Sequence, residues 1–351
     1  MVKQLFVVGL IVAAIGCKPD LEGRRSLVSG ARVLAVRSLP ASAKPADSVS
    51  YDALFVDADG VADPEALDWA LCIARKPLTE TGAVSTKCLK RETSALEVLG
   101  TGAEAMASVP SDACALFGPT PQTPEAGEPA PRPVDPDTTG GYYQPVRVVF
   151  AGDDREDQYS IGVTRLSCGL GGATQEQAAE FTRRSKPNEN PELEAVVVDR
   201  GRADAEVLPA LDSEDLFSVP AGVSIHLVAR WPDCPSDPEC GDEICSPGED
   251  TASCDDDCRQ PHGCRGSEPY VYFDPITRKL ADRREAMRVS WFASAGEFGH
   301  DRTGRSETEA DRADSENDWT APAAEGEVRI WVVLRDDRGG VGWGSYKLQV
   351  E

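Results

Sequence analysis

The chain has few of the residues on which most enzymes depend. It has only three histidines among 351 residues, and no Gly-x-Ser-x-Gly, His-Glu-x-x-His or P-loop pattern occurs in it. Those patterns mark a nucleophilic serine, a zinc site and a phosphate cradle, so the best-marked hydrolase and nucleotide-dependent classes are excluded. Since histidine is also the commonest acid–base catalyst, we predict that the protein is not an enzyme.

Cationic residues are scarce relative to acids. The chain has 36 Lys and Arg against 60 Asp and Glu, which gives a formal net charge of −24 at pH 7. Nucleic-acid binding depends on cations that neutralise phosphates, so the composition predicts no nucleic-acid partner. The large negative charge is typical of a chain kept soluble by self-repulsion.

The apolar run near the N-terminus is too short to span a membrane. A spanning helix needs about 20 apolar residues, whereas Leu5–Ala14 has ten. Lys3 precedes this run, and small residues and Cys17 follow it. A cationic start, a short apolar run and a small-residue cleavage site make an export signal. We therefore predict that residues 1–16 are removed.

The cleavage site, Ala14-Ile15-Gly16-Cys17, resembles the lipobox of bacterial lipoproteins. The resemblance implies that Cys17 is the lipidated first residue, that residues 17–30 are a tether, and that the membrane is reached through the acyl chains. Lys18 follows the cysteine, and in this family the absence of Asp there favours the outer membrane, facing either the periplasm or the outside. The alternative is an ordinary secretory signal with an incidental cysteine.

The other ten cysteines fit an exported chain, because disulfides persist in oxidising compartments. We predict five bridges, while the pairing stays open, since four cysteines allow three pairings and six allow fifteen. The candidates form a group of four and a group of six: Cys72, Cys88, Cys114 and Cys168, then Cys234, Cys240, Cys245, Cys254, Cys258 and Cys264.

Most of the chain reads as short alternating strands separated by Gly, Pro and Asp turns, which is typical of a β-sandwich. Residues 33–72, with "VLAV" at the start and "DWALC" at the end, resemble the opening of the Ig-like domains of secreted bacterial lipoproteins. The segments "VSWF", "DWTAP" and "RDDRGGVGW" resemble the same modules again. The resemblance implies an all-β fold with two Ig-like β-sandwich domains in tandem.

The segments divide as follows. We predict a first sandwich over 31–170 with a Pro-rich loop at 119–140, a linker with a short helix at 171–190, and a second sandwich over 191–351 with a Cys-rich insert at 234–264. Within the first sandwich, residues 94–108 are predicted to hold a short helix.

The insert resembles the small "CGDG"-type cysteine-rich modules of secreted proteins. A piece this short and polar needs disulfides or a metal to fold. Calcium prefers oxygen ligands, and the calcium candidates are Asp242, Glu249, Asp250, Asp255 and Asp257. The EF-hand spacing is absent, so a disulfide knot with solvated acids remains the other interpretation. Zinc at Cys258, His262 and Cys264 is disfavoured because exported thiols usually pair.

The remaining polar motifs have structural interpretations. His226 lies in an alternating strand, where it is predicted to face outward, and His300 lies in an acidic loop. Residues 335–340, "RDDRGG", are predicted to form a hairpin tip. We therefore expect a non-catalytic envelope lipoprotein that acts in adhesion, scaffolding or binding of a protein or glycan. An exported enzyme or inhibitor that uses surface carboxylates is the alternative.

Overall fold

The computed structural model describes residues 25–62, 67–75, 84–90, 93–118, 141–151, 157–199, 205–235, 240–241, 244–245, 249, 252–259, 263–274 and 276–351. The predicted signal, Cys17 and the Pro-rich loop lie outside the described residues. Among the helices described, none is long and apolar enough to cross a membrane.

The first sandwich encloses a core between two sheets. Sheet 1 has the order β2-β9-β8-β5-β6, and sheet 2 has β1-β3-β4 with β7 beside β3. As predicted, Val49, Tyr51 and Phe55 face one side, toward Trp69 in the other sheet. The strands are β1 (Arg32–Leu39), β2 (Ser42–Ala43), β3 (Ser48–Asp57), β4 (Gly60–Val61), β5 (Asp68–Cys72), β6 (Leu96–Thr101), β7 (Glu104–Ser108), β8 (Gly141–Ala151) and β9 (Asp157–Ser167).

The second sandwich is built in the same way. Sheet 3 has the order β12-β21-β20-β16-β18, sheet 4 has β11-β10-β13-β19-β17, and β14 and β15 form a separate hairpin. Trp291 and Trp319 both belong to its core. The strands are β10 (Ala195–Asp199), β11 (Glu206–Val207), β12 (Ser218–Val219), β13 (Ser224–Arg230), β14 (Pro269–Asp274), β15 (Lys279–Arg284), β16 (Met287–Ala293), β17 (Glu297–Phe298), β18 (Arg302–Arg305), β19 (Asp314–Thr320), β20 (Gly326–Arg335) and β21 (Val341–Val350). The fold is therefore all-β, with two Ig-like sandwiches and a disulfide-rich insert, as the sequence predicts.

Helices are few and short in the described chain: α1 (Ala113–Phe117), α2 (Gln175–Arg184) and α3 (Asp255–Cys258). Helix α2 is the predicted linker helix, and it begins with a capping box in which Thr174 and Gln177 satisfy each other's backbone N–H. The helix predicted over 94–108 is wrong. Gly100 and Gly102 take positive φ there, so the segment turns between β6 and β7 instead of continuing as a helix.

The two sandwiches pack face to face through an apolar cluster that we call the joint. In the joint, Leu34 and Leu54 from the outer face of sheet 2 pack on Trp331 from the outer face of sheet 3, so the four sheets stack as layers. The buried members are Val28, Leu34, Ala35, Leu54, Val56, Trp331, Val333 and Val341.

The rim of the joint is held by side chains of both sandwiches. Arg335 donates to the carbonyl of Leu34 at 2.9 Å, and Arg329 donates to that of Ala58 at 3.1 Å. Arg37 lies 4.1 Å from the centre of the Trp343 ring, a distance at which a guanidinium is attracted to an aromatic face.

Before it enters the first sandwich at β1, the chain pairs with a strand of the second sandwich. The backbone N–H of Val28 donates to Ala293 at 2.8 Å, and that of Ala293 donates to Ser26 at 2.8 Å, so residues 26–28 add to β16 of sheet 3. This part of the predicted tether belongs to the folded body.

Truncation of the joint tests whether the two sandwiches stabilise each other. Trp331 is fully buried, so we expect Trp331→Ala to lower the free energy of unfolding by about 3–5 kcal/mol, the usual cost of removing a buried aromatic. Urea denaturation measures it. Trp331→Phe is the control: the indole Nε1 has no hydrogen-bond partner within the described chain, so the smaller ring forfeits no hydrogen bond and should cost far less. Equal losses in the two variants would contradict the role of packing.

Candidate functional site

The prediction that the ten cysteines form disulfides is confirmed. Both groups pair internally, and the Cys114–Cys168 bridge ties α1 to the end of β9, while Cys234–Cys264 closes the base of the insert. Five disulfides indicate an oxidising compartment outside the cytoplasm. The pairs are Cys72–Cys88, Cys114–Cys168, Cys234–Cys264, Cys240–Cys254 and Cys245–Cys258.

Three of the five calcium candidates can be placed. Glu249 and Asp257 are buried, and the Asp257 carboxylate accepts a hydrogen bond from the Gly241 N–H at 2.6 Å. Asp255 is exposed on α3 and pairs with Arg259 one helical turn later. Asp242 and Asp250 lie outside the described residues, so calcium at the insert stays a prediction.

The two cysteines of the possible zinc site are both in disulfides. Cys258 is bonded to Cys245, and Cys264 to Cys234, so neither sulfur is free to ligate a metal as a thiolate. His262, the remaining candidate ligand, lies outside the described residues.

The two described histidines lie on the second sandwich. His226 is on the solvent side of sheet 4, where its Nδ1 lies 2.9 Å from Asp318 and its Nε2 lies 3.9 Å from Glu316. This placement agrees with the outward orientation predicted from the strand pattern. His300 is exposed, and its backbone N–H donates to Asn317.

The hairpin tip at 335–340 ends in a buried cluster of charges. The guanidinium of Arg338 lies 2.5 Å from Glu285 and 3.0 Å from Glu268, and all three residues are almost completely buried. The ring of Tyr270 faces the same guanidinium at 4.9 Å. The cluster joins the turn after β20 to both sides of the β14–β15 hairpin.

Asp336 fixes the turn itself. One of its carboxylate oxygens accepts from the N–H groups of Arg338 and Gly340, and the other accepts from the Asn188 amide of the linker at 3.0 Å. A Cβ on Gly340 would lie 2.1 Å from this carboxylate, so only glycine fits there. The predicted structural role of the tip agrees with these contacts.

The cluster has more acids than cations. Burial raises the pKa of Glu268 to about 7, and burial also raises the pKa values of Glu285 and Asp336. Since three buried carboxyl groups surround one arginine, the cluster retains a proton near neutral pH.

An open groove runs along the edge of the second sandwich, where the segment from β11 to β12 crosses from sheet 4 to sheet 3. We call it the edge groove; its volume is about 710 Å³. The segment is bound to β21, because the backbone N–H of Lys347 donates to the Pro209 carbonyl and that of Gln349 donates to the Phe217 carbonyl. Between these two attachments, the loop at 211–216 forms one wall of the groove.

The edge groove combines exposed aliphatic side chains with acidic ones. Val207 and Leu216 are 58% and 61% exposed, although both are aliphatic. Glu194, Glu206 and Asp215 line the same groove. Sequence reasoning missed this site because its walls come from separate segments with no alternating pattern. The only signal was two isolated aliphatic residues, each next to an acid in sequence.

The buried carboxyl cluster predicts a pH dependence of stability. A carboxyl group with a raised pKa in the folded state binds its proton more tightly there than in the unfolded chain. The stability it contributes is therefore full below the ordinary value of 4.5 and is lost as the pH rises through about 7. We expect the free energy of unfolding to fall by up to about 3 kcal/mol between pH 5 and pH 8.

Denaturant unfolding at both pH values checks this, with two variants. Glu268→Gln cannot ionise, so its stability should change much less with pH, while Glu192→Gln, an exposed glutamate, should keep the full dependence. A wild-type protein that becomes more stable toward pH 8 would contradict the prediction.

Comparison with known proteins identifies no family. No family model matches the chain, and no curated protein matches it. Among solved structures, it is similar to dimeric latent PorU from Porphyromonas gingivalis at 10% identity and a TM-score of 0.19, covering 92% of this chain and 34% of that one. It is also similar to the C-terminal domain of the Streptococcus pyogenes antigen I/II-family protein AspA at 10% identity and a TM-score of 0.20, covering 93% and 99%. Scores this low support no conclusion about fold or function.

Proposed function

We propose that the protein is a non-catalytic binding protein of the cell envelope, exported and anchored by lipid at Cys17, whose edge groove holds a basic, apolar segment of a partner protein. The observation that supports this most directly is the groove itself, where exposed Val207 and Leu216 lie among acids. Exposed apolar surface rimmed by polar residues is typical of a protein-interaction site.

The composition of the groove favours one class of partner. Burying the exposed parts of two aliphatic side chains contributes a few kcal/mol to association, at about 25 cal/mol per Å². The carboxylates that line the groove repel acidic partners and attract cationic ones. An extended segment that alternates apolar and basic residues meets both requirements.

The edge groove lies in the same sheet that the first described residues of the chain join. Residues 26–28, near the end of the proposed tether, add to β16, and β16 lies in the same sheet as β21 of the groove. A partner held in the groove is thereby attached to the same sheet as the end of the proposed tether.

The enzyme alternative gains little from the described acids. It would be favoured by an open pocket that joins carboxylates of both sandwiches. The cleft between the sandwiches is lined by one acid, Asp336, and both oxygens of that carboxylate already accept hydrogen bonds. We therefore infer a binding role rather than hydrolysis.

Peptide binding tests the groove. The probes are two fluorescent 12-residue peptides, one alternating Leu and Lys and one alternating Leu and Glu, with anisotropy as the readout. We expect the protein to bind the Lys peptide in preference. Val207→Lys with Leu216→Lys should weaken this binding at least roughly tenfold, because it removes the apolar contacts and adds repulsion.

A matched double variant is available on the first sandwich. Val98 and Met106 are 78% and 71% exposed, so Val98→Lys with Met106→Lys makes the same change in charge and in apolar surface. The two added lysines also repel the Lys peptide at long range, and high salt screens this effect. At high salt, the control should therefore bind the Lys peptide like the wild type. Equal loss in both double variants, or a preference for the Glu peptide, would reject the groove.

The anchor is tested separately by the intact mass of the mature protein from membranes, before and after reduction and alkylation. We expect an acyl adduct on a chain that begins at Cys17, and ten alkylated thiols only after reduction. A mature chain without lipid would make the protein a soluble secreted one, and thiols that react before reduction would contradict the five bridges.

A further inference from the structure

Three arginines lie together on the outer face of sheet 3. Arg288 of β16 is directly opposite Arg335 of β20 in the strand register, and Arg302 of β18 is opposite Ser290, two residues along β16. Residues directly opposite in adjacent strands point to the same face, and so do residues two apart along a strand. We call Arg288, Arg302 and Arg335 the arginine triad.

The triad lacks the acids that accompany other arginines of this sandwich. Arg305 lies 2.7 Å from Asp314, and Arg312 lies 2.6 Å from Glu316, whereas the structure shows no ion pair to any triad member among the described residues. Within the described chain, the only side-chain hydrogen bond from the triad is the one from Arg335 to the Leu34 carbonyl.

The acids adjacent to Arg302 and Arg335 in sequence are engaged elsewhere. Asp301 accepts a hydrogen bond from the Ser26 hydroxyl, and the Asp336 carboxylate accepts from N–H groups of its own turn and from the Asn188 amide. Like charges on facing positions destabilise a sheet, and this chain has far more acids than cations. An uncompensated cluster of arginines is therefore unexpected unless an anion occupies it.

The electrostatics of Arg335 support the same conclusion. Burial, and then the charge of Arg302, lower the pKa of Arg335 to about 10, and no acid offsets them. Arg335 also lines the cleft of about 390 Å³ between the two sandwiches, so space is open beside it. Arg288 and Arg302 are exposed, which leaves their side chains free to turn toward a ligand.

We propose that the arginine triad binds a phosphate monoester group. The planar guanidinium donates paired hydrogen bonds that match phosphate oxygens, and a dianion would offset the mutual repulsion of three cations. The net charge of the whole protein opposes long polyanions, but it is screened beyond about 10 Å at 0.1 M salt, so the site recognises a single group at short range. This proposal does not rest on the edge groove.

Titration with inorganic phosphate tests the site in the full mature protein. Calorimetry and thermal unfolding are followed at constant ionic strength, with chloride as the reference salt. We expect one saturable site and a melting temperature that rises with phosphate. Arg288→Gln and Arg302→Gln should each weaken binding about tenfold, the scale of one charge-assisted hydrogen bond.

A control separates the site from general charge effects. Arg265 is exposed and pairs with Glu192, so Arg265→Gln changes the net charge equally and should leave phosphate binding unchanged. Without phosphate, Arg302→Gln should melt no lower than the wild type, because it relieves repulsion on Arg335. Loss of binding in that variant therefore cannot come from unfolding.

The source of the phosphate is distinguished with vesicles. Vesicles of phosphatidylcholine with phosphatidic acid present a phosphate monoester, whereas pure phosphatidylcholine vesicles do not. Triad-dependent binding to the first kind alone supports a lipid headgroup, and binding of free phosphate without vesicle binding supports a soluble phosphorylated ligand. Binding of neither, or equal weakening by Arg265→Gln, overturns the proposal.

Discussion

The apolar joint between sheets 2 and 3 is the contact on which the arrangement of the molecule depends. Two Ig-like sandwiches in one chain commonly move relative to each other about their linker, since most inter-domain contacts are modest and polar. Here Trp331 and Val333 are fully buried against Leu34 and Leu54, so both sandwiches share an additional core. The four sheets become one layered body, and the N-terminal segment is part of it through β16.

Polar contacts then fix what apolar burial leaves undetermined. Hydrophobic packing has no direction, whereas the bonds of Asp336 to the turn and to Asn188 fix the linker against the last hairpin. Arg338 of the same turn forms ion pairs with Glu268 and Glu285. The ion pair with Glu268 is close but lacks hydrogen-bond geometry at the Glu268 Oε2 atom, which fits a carboxyl group that binds its proton near neutral pH.

Charged side chains are unevenly distributed over the protein, and the two proposed sites carry opposite charges. Acids and exposed aliphatic residues line the edge groove together, while the three arginines on the outer face of sheet 3 make no ion pair with a described residue. One surface favours a cationic partner and the other an anionic group. Because β21 and β20 belong to the same sheet, the two surfaces keep a fixed separation.

The sequence by itself determined the strand-rich fold and the linker helix, and it predicted the disulfides, because alternation, capping residues and cysteine grouping act over short distances along the chain. It misassigned residues 94–108, where two glycines decide the turn. Only the tertiary structure decided the disulfide pairing, the joint, the edge groove and the arginine triad. Each of these brings together side chains from distant segments, such as Leu54 with Trp331 or Arg288 with Arg335. A local pattern shows which side chains point away from the core of their own sandwich. Only the packing of the sheets decides whether such a side chain faces solvent, joins a second core or carries an unpaired charge.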